Sequence, residues 1–444
     1  MSCFHNRILL IVLIMSSLVS WLPAQNTNLV PSTLGPDVAV TQSSAGAGQN
    51  GSSSAGWGFS DWPTWGIPGV APLGDLDGAG VLFGAGISEG YGHVDSNIPG
   101  EATGSISVVQ PYAGVFQAGP RHKLLLEYSP TIDLYERGDF NGSVLERGSI
   151  RAYDDLSRRL RWVFAGYTTS GSEYLRELSG LGMGEYPGWL TFTIPSEQVL
   201  LTSAETGLHW RSKPRQEFSL TFGDTYSSVR NGPEYDSALA RLQMTNYFGR
   251  DSNWFAFGQA DRFSNQPGCT RIEPGAGFVI HFPTNTTLAL EGGPEFANGP
   301  CVVRFTSNFS GKLDQKITRK ITLYLSAGRD LVEPYLLQSR WTDIFSAKIG
   351  AKTSRCTMLS VGTAYARSSD LPDTQLTRYR GFQAYSEFSW HLSDTVKFVA
   401  SYRYFKRDFN LANPSLTPSN EDRNSWAFVS LVWHPASRSM RRGN

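Results

Sequence analysis

Beyond its first 24 residues this 444-residue chain has no stretch of the roughly 18 apolar residues that a membrane-crossing helix requires, so any insertion in a bilayer must be by strands. It also lacks net charge: Lys and Arg together number 39, as do Asp and Glu. That balance argues against a broad nucleic-acid footprint or a polyanion receptor. Charged residues make up only 18% of the chain, below the usual quarter for a soluble domain. Catalytic motifs are missing as well. His5, His93, His122, His209, His281, His391 and His434 are widely scattered, with no HExxH and no CxxC, so a zinc site has no support. The spacing G-x-S-x-G occurs at Gly86–Gly90, but in a stretch that reads as strand with no helix following, so it is no nucleophile elbow, and no catalytic, cofactor-binding or metal-binding residue can be assembled by motif. Asp75-Leu76-Asp77-Gly78 lacks the remaining ligands of a calcium loop and reads as a turn. Gly84, Gly86 and Gly90 have the wrong spacing for a phosphate loop and read as wall glycines of a strand. The expectation is a protein that is not an enzyme and needs no cofactor.

What is present sets the compartment first. Arg7 precedes the unbroken apolar run Ile8–Met15, and Leu22-Pro23-Ala24 closes the segment with a small residue. Residues 1–24 therefore read as a Sec-type signal peptide cleaved after Ala24. Cys3 lies before the apolar run and cannot be a lipoprotein cysteine. Residues 25–78 show no periodicity; Ser, Gly and Gln fill Gln42–Gly56, and a Trp/Pro-rich stretch spans Trp57–Gly69. This segment reads as a flexible periplasmic arm, with a lumen stopper or a partner-docking patch as the alternative reading of its tryptophans.

From residue 79 to 433 the texture is period-2 alternation in segments of about ten residues. In Arg319–Gly328, Ile321, Leu323, Leu325 and Ala327 share one face, with Thr322, Tyr324, Ser326 and Gly328 on the other. In Thr395–Tyr404, Val396, Phe398, Ala400, Tyr402 and Tyr404 oppose Lys397, Ser401 and Arg403. Pairs of such segments are joined by short polar turns near 156–159, 249–253, 283–286, 316–320, 352–355 and 391–395. Longer connections fall at 130–148, 170–203, 227–237, 263–273, 330–339, 368–378 and 408–422. Short turns alternating with long loops are the mark of an all-β, transmembrane, antiparallel up-and-down barrel of about 18 strands (roughly 16–18), with both termini in the periplasm. A basic tail, 434–444, follows.

The aliphatic faces suit lipid, and Trp162, Trp254, Trp341, Trp390, Tyr402 and Trp433 suit aromatic girdles near strand ends. The opposite phase carries Lys123, Glu127, Arg161, Glu291, Gln383, Glu387, Lys397 and Arg403 as pore-lining candidates. A charge on the lipid face would cost about 2–4 kcal/mol at mid-bilayer, which places these residues inward or at the rim. Mixed signs give no basis for strong ion preference, so the leading expectation is a weakly selective pore or export channel for small polar solutes or polysaccharide. The competing readings are a plugged structural or surface-interaction barrel, a hydrolase assembled at the rim, and a soluble β-sandwich or propeller. No WD-like or kelch-like repeat supports the propeller. Cys269 and Cys301 fall in adjacent predicted extracellular loops as a candidate disulfide, with two free thiols as the alternative, and Cys356 belongs at the opposite end.

The strand–turn–strand units LSRRLRWVFAGY, QKITRKITLYLSAGRD and WHLSDTVKFVASYRYFKRD resemble porin-like outer-membrane β-barrel proteins of Gram-negative bacteria, including those linked to exopolysaccharide export. Ser425–Trp433 resembles the closing strand that barrel-assembly machinery recognises. The resemblance implies a Gram-negative outer-membrane location. Its implied partners are outer-membrane lipids, lipopolysaccharide, the assembly machinery and polysaccharide or secretion-system components, with no nucleic acid. It carries over no functional residues.

Overall fold

The computed structural model describes residues 78–96, 100–133, 144–172, 198–229, 234–248, 252–263, 269–298, 305–332, 340–368, 376–393, 395–411 and 420–433. Residues 1–77 and 434–444, with the expected signal peptide, nearly all of the expected arm, Asp75–Asp77 and the basic tail, lie outside them. The strands are β1 Gly78–Ser96, β2 Gly100–Ala118, β3 His122–Tyr128, β4 Thr131–Asp133, β5 Val144–Asp154, β6 Leu160–Ser172, β7 Gln198–Lys213, β8 Gln216–Val229 and β9 Glu234–Tyr247. They continue as β10 Asn253–Phe263, β11 Cys269–Phe282, β12 Thr286–Asn298, β13 Phe305–Lys316, β14 Ile321–Val332 and β15 Arg340–Lys352. The last four are β16 Thr357–Ser368, β17 Leu376–His391, β18 Val396–Leu411 and β19 Asn420–Trp433. Pro130 has no N–H to give a ladder, and it separates β3 from β4. Both of these pieces pair with β2 and β5, so the nineteen segments form an 18-strand barrel.

Every neighbour pair is antiparallel, and β1 pairs with β19 from Ala85↔Trp433 to Ser96↔Asp422, which closes the sheet. All eighteen expected strands are present. The short connections, 155–159, 214–215, 283–285, 317–320 and 353–356 among them, share one end of the barrel with the start of β1 and the end of β19. A local device recurs in these turns. The hydroxyls of Ser157, Thr318, Ser354 and Ser393 each accept the backbone N–H three residues on, at 3.0–3.1 Å. Such hydroxyl turns let the chain reverse within a few residues. In the 283–285 turn Asn285 takes the left-handed conformation, at φ 56°.

Cross-strand partners share a face, so the register assigns every side chain inward or outward. Outward positions hold exposed apolar residues such as Val81, Ile87, Leu242, Ile272, Ile349 and Leu431. Around the turn-side end stand outward Trp210, Trp254, Phe282 and Trp433, all exposed, with Trp162 and Trp390 half-buried. Tyr402 also faces outward, but at mid-strand, below the level where a girdle would sit. Nothing is described of the Trp341 side chain. Between the strand residues next to the turns and a belt in the far half of the strands, no outward position among the described residues carries Asp, Glu, Lys, Arg or His. A closed barrel leaves no backbone donor unpaired at an edge, and this outer band has no charge to desolvate; together they meet the requirements of a hydrocarbon environment.

Candidate functional site

The inner face is the polar one, and its shape is set by glycines. Phe116 on β2 lies over Gly80 on β1, where an added Cβ would meet the ring at 2.7 Å. Phe428 covers Gly90, Phe257 covers Gly275, Phe255 covers Gly277 and Tyr385 covers Gly362, each across a directly paired position. Laid flat over a residue with no side chain, each ring buries its face against the wall and stays out of the lumen. Gly90 is thus a wall glycine of β1, as its sequence context indicates.

All eight inner-face candidates occupy inward positions: Lys123 and Glu127 on β3, Arg161 on β6, Glu291 on β12, Gln383 and Glu387 on β17, and Lys397 and Arg403 on β18. The structure does not bring all eight together. They fall in separate sectors, with Gln383, Glu387, Lys397 and Arg403 on the adjacent strands β17 and β18, while Glu127, Arg161 and Glu291 join clusters whose other members the sequence did not single out. Glu127 accepts hydrogen bonds from Arg151 at 2.8 Å, from Ser149 at 2.8 Å and from Tyr112 at 3.1 Å. Arg161 grips Asp155 in the adjoining turn at 2.6 Å and lies over the Tyr153 ring at 4.9 Å.

The most extended cluster spans β9 to β13. Arg241 on β9 reaches past two strands to Glu291 on β12, at 3.3 Å, donates to Gln259 at 3.3 Å, and stacks 3.9 Å above the Phe257 ring. On the next level Arg271 pairs with Asp261 at 2.9 Å and Glu295 at 3.2 Å, while Asn308 donates to Glu273 at 3.1 Å. Glu291 is only 7% exposed and Arg241 4%. These side chains lie along the wall and neutralise one another, because a buried charge needs a partner close by. Gly275 seats the Phe257 ring on which Arg241 stacks, and a Cβ at Gly277 would crowd the Phe255 ring and Glu291.

Charge on the inner face is sorted by sector. Strands β7–β12 contribute Glu205, Glu217, Asp261, Glu273, Glu291 and Glu295 against Arg211, Arg241 and Arg271. Among the described side chains, strands β13–β18 contribute Lys312, Lys316, Lys348, Lys352, Lys397 and Arg403 against Asp314 and Glu387. His209 contacts Glu217 at 3.1 Å within the acidic sector. Among the described residues no group of three His, Cys, Asp or Glu is arranged to hold a metal ion. Cys356 is a free thiol at the turn end. Cys301 lies outside the described residues and nothing is described of the Cys269 side chain, so the 269–301 bridge stays an expectation.

A closed sheet, an uncharged outer band and a polar inner face define a transmembrane β-barrel of the outer-membrane type. The chain matches no family model, and no curated protein matches it. Among solved structures it is similar to OccAB4 of Acinetobacter baumannii, with 10% identity and a TM-score of 0.43, over 82% of this chain and 100% of that one. It is similar also to a mutant of the ferric enterobactin receptor PfeA of Pseudomonas aeruginosa, with 6% identity and a TM-score of 0.43, over 81% and 82% of the two chains. The ferric citrate transporter FecA superposes at a TM-score of 0.41 with 10% identity, over 77% of this chain and 63% of the other.

Proposed function

We propose that this chain is a channel of a Gram-negative outer membrane that passes small polar solutes with weak selectivity. The observation that carries the reading is the pairing of an uncharged outer band with an inner face of many charges of both signs. A polar wall of paired charges suits a water-filled lumen, whereas a plugged structural barrel has no need of it. In this reading Lys123, Glu127, Arg161, Glu291, Gln383, Glu387, Lys397 and Arg403 line the pore, joined by Glu205, Lys312 and Lys348. Acidic and basic sectors offset each other, so net ion preference is small. Their separation across the lumen favours solutes that carry both charges, or many hydroxyls, over a compact ion of either sign. Export of polysaccharide fits the same lumen and would draw on secretion-system partners.

The test is conductance of the purified, refolded chain in planar bilayers. Discrete single-channel steps are expected, with a reversal potential within about 10 mV of zero under a tenfold KCl gradient whose ideal limit is near 60 mV for one permeant sign. Changing Glu291 and Glu295 to Gln should move the reversal potential towards anion preference. Barrels that migrate as folded yet give no steps would remove the channel reading in favour of a plugged one.

A further inference from the structure

Equal totals of cations and anions hide a separation of charge between the barrel and the segment that precedes it. Residues 25–77 contain Asp37, Asp61, Asp75 and Asp77 but no Lys, Arg or His, and Trp57, Trp62 and Trp65 flank Asp61. At the turn end of β2–β8 the short connections and their flanks present the opposite sign: Arg121, Arg158, Arg159, Lys213 and Arg215, all exposed. We propose that residues 57–77, which lie outside the described residues, dock on this basic rim.

Three observations carry it. First, the rim is short of carboxylates. Among the described residues it has Asp154, Asp155 and Glu217, and two of these are engaged by other cations: Asp155 by Arg161 at 2.6 Å, and Glu217 by His209 at 3.1 Å and Arg211 at 3.8 Å. Asp154, directly opposite His122, is left against five cations. Second, the acidic segment joins the barrel where the rim begins. Gly78 pairs with Ala118, so Asp77 is one residue from a position beside the 119–121 turn that carries Arg121. In the other direction round the mouth the first turn, 392–395, contains no Lys or Arg. Third, length and chemistry match. Ser60, next to Asp61, lies 18 residues before Gly78. A Gly-rich chain of that length spans about 21–25 Å. Strands about 4.8 Å apart, with a rise of about 3.3 Å per residue, place the 155–159 turn roughly 20 Å from Gly78. Exposed ion pairs contribute only about two- to threefold each. A short tether supplies an effective concentration on the order of millimolar, and Arg over an indole ring adds a cation–π contact. The docked segment holds Trp57, Trp62 and Trp65 at the turn-side mouth of the lumen.

The inference rests on where the turns stand and not on whether the lumen conducts, so cross-linking and conductance are separate readouts. In the full refolded chain with its native cysteines replaced by Ser, Ser60→Cys is combined with Leu156→Cys on the basic rim or with Ser393→Cys in the 392–395 turn. Leu156 and Ser393 are both exposed. Both lie roughly 20 Å from Gly78 by the same strand spacing and rise, so an undocked segment reaches them equally. Disulfide formation under mild oxidation is timed at about 20 mM and about 1 M KCl. At low salt the 60–156 pair should form about tenfold faster than the 60–393 pair, from three carboxylates at two- to threefold each. Asp61→Asn/Asp75→Asn/Asp77→Asn, or high salt, should slow the 60–156 pair by the same factor and leave the 60–393 pair no slower. These three positions precede β1 and take no part in the sheet, so the barrel's folding is not at stake. Arg158→Gln/Arg159→Gln on the rim should slow the 60–156 pair about fivefold in barrels that migrate as folded. Equal rates for the two pairs at low salt, or a 60–156 rate unchanged when the three carboxylates are lost, would overturn the proposal.

Discussion

A phenyl ring resting on a glycine is the smallest unit from which this barrel's inner face is built, and it makes a sharp demand on sequence. An added Cβ at Gly90 would overlap the Phe428 ring, which is 2% exposed. Gly90→Leu must therefore push a buried ring into the lumen or spread β1 from β19. Overpacking of this kind costs about 1–3 kcal/mol. By contrast, Gly258 faces outward with nothing within 4 Å of an added Cβ, so Gly258→Ala should be neutral or slightly stabilising. The denaturant midpoint of heat-modifiable migration compares the two; equal midpoints would mean that the ring does not need the glycine. A second residue-scale prediction concerns the pair that crosses from β9 to β12. Arg241→Leu leaves Glu291 buried without its guanidinium and should cost about 3–5 kcal/mol. Arg241→Leu/Glu291→Leu removes both charges and should recover most of that loss, because two apolar groups of similar size need no partners. A double variant no more stable than the single one would show that Arg241 acts through its stacking on Phe257 instead.

At the scale of the strand, one residue separates lipid from lumen. Leu325 faces outward, paired with Leu313 and Ala347; Ser326 faces inward, 2.6 Å from Ser346. Leu325→Arg should cost about 2–4 kcal/mol and deplete the folded, membrane-assembled form, while Ser326→Arg should leave assembly intact and change conductance. Assembly yield by heat-modifiable migration separates them, and equal yields would contradict the assigned faces. This alternation is also why so much of the fold was legible in the sequence. Strand phase repeats every two residues, so the inward phase of residues such as Lys397 and Arg403 could be read from their own strand alone. The turns were legible for a related reason, since segments such as Ser157–Leu160 and Thr318–Ile321 carry their reversal chemistry locally. The clusters were not legible. Arg241 meets Glu291 fifty residues later only because the two strands between them in the sheet set them on neighbouring stretches of the wall. No local pattern encodes that meeting, nor the sorting of acidic and basic sectors, which depends on the order of strands around a closed ring. Tyr402 was misplaced for a similar reason. Its distance from the turns is set by the length of β18, and an aromatic residue alone does not reveal it.

At the scale of the whole molecule everything depends on the seam where β1 meets β19, because an open barrel would expose two edges of unpaired backbone to hydrocarbon. The register there is specific: Ile87 opposite Leu431, Glu89 opposite Val429 and Gly90 opposite Phe428. A slip of one residue would turn every outward apolar side chain of β19 into the lumen, and the hydrophobic pattern forbids it. A slip of two keeps all faces correct, so hydrophobicity cannot forbid it. In the slip that brings Ile87 opposite Val429, what opposes it is the ring of Phe428, which would then face Ser88 and lose its seat at Gly90. The seam is therefore a test of whether the ring–glycine fit fixes closure. With Cys269, Cys301 and Cys356 replaced by Ser, Ile87→Cys/Leu431→Cys places two thiols on directly opposed outward positions, about 4.5–5.5 Å apart between Cα atoms. Mild oxidation should join them and change the mobility of the unfolded chain on a non-reducing gel. Ile87→Cys/Val429→Cys offers the partner that a two-residue slip would supply. In the native register that partner is a diagonal neighbour, beyond about 7 Å and out of reach of a disulfide. Cross-linking of the first pair alone supports closure in the observed register. Adding Gly90→Leu should then raise cross-linking of the second pair at the expense of the first, and if that shift does not occur, something other than the Phe428 ring holds the seam.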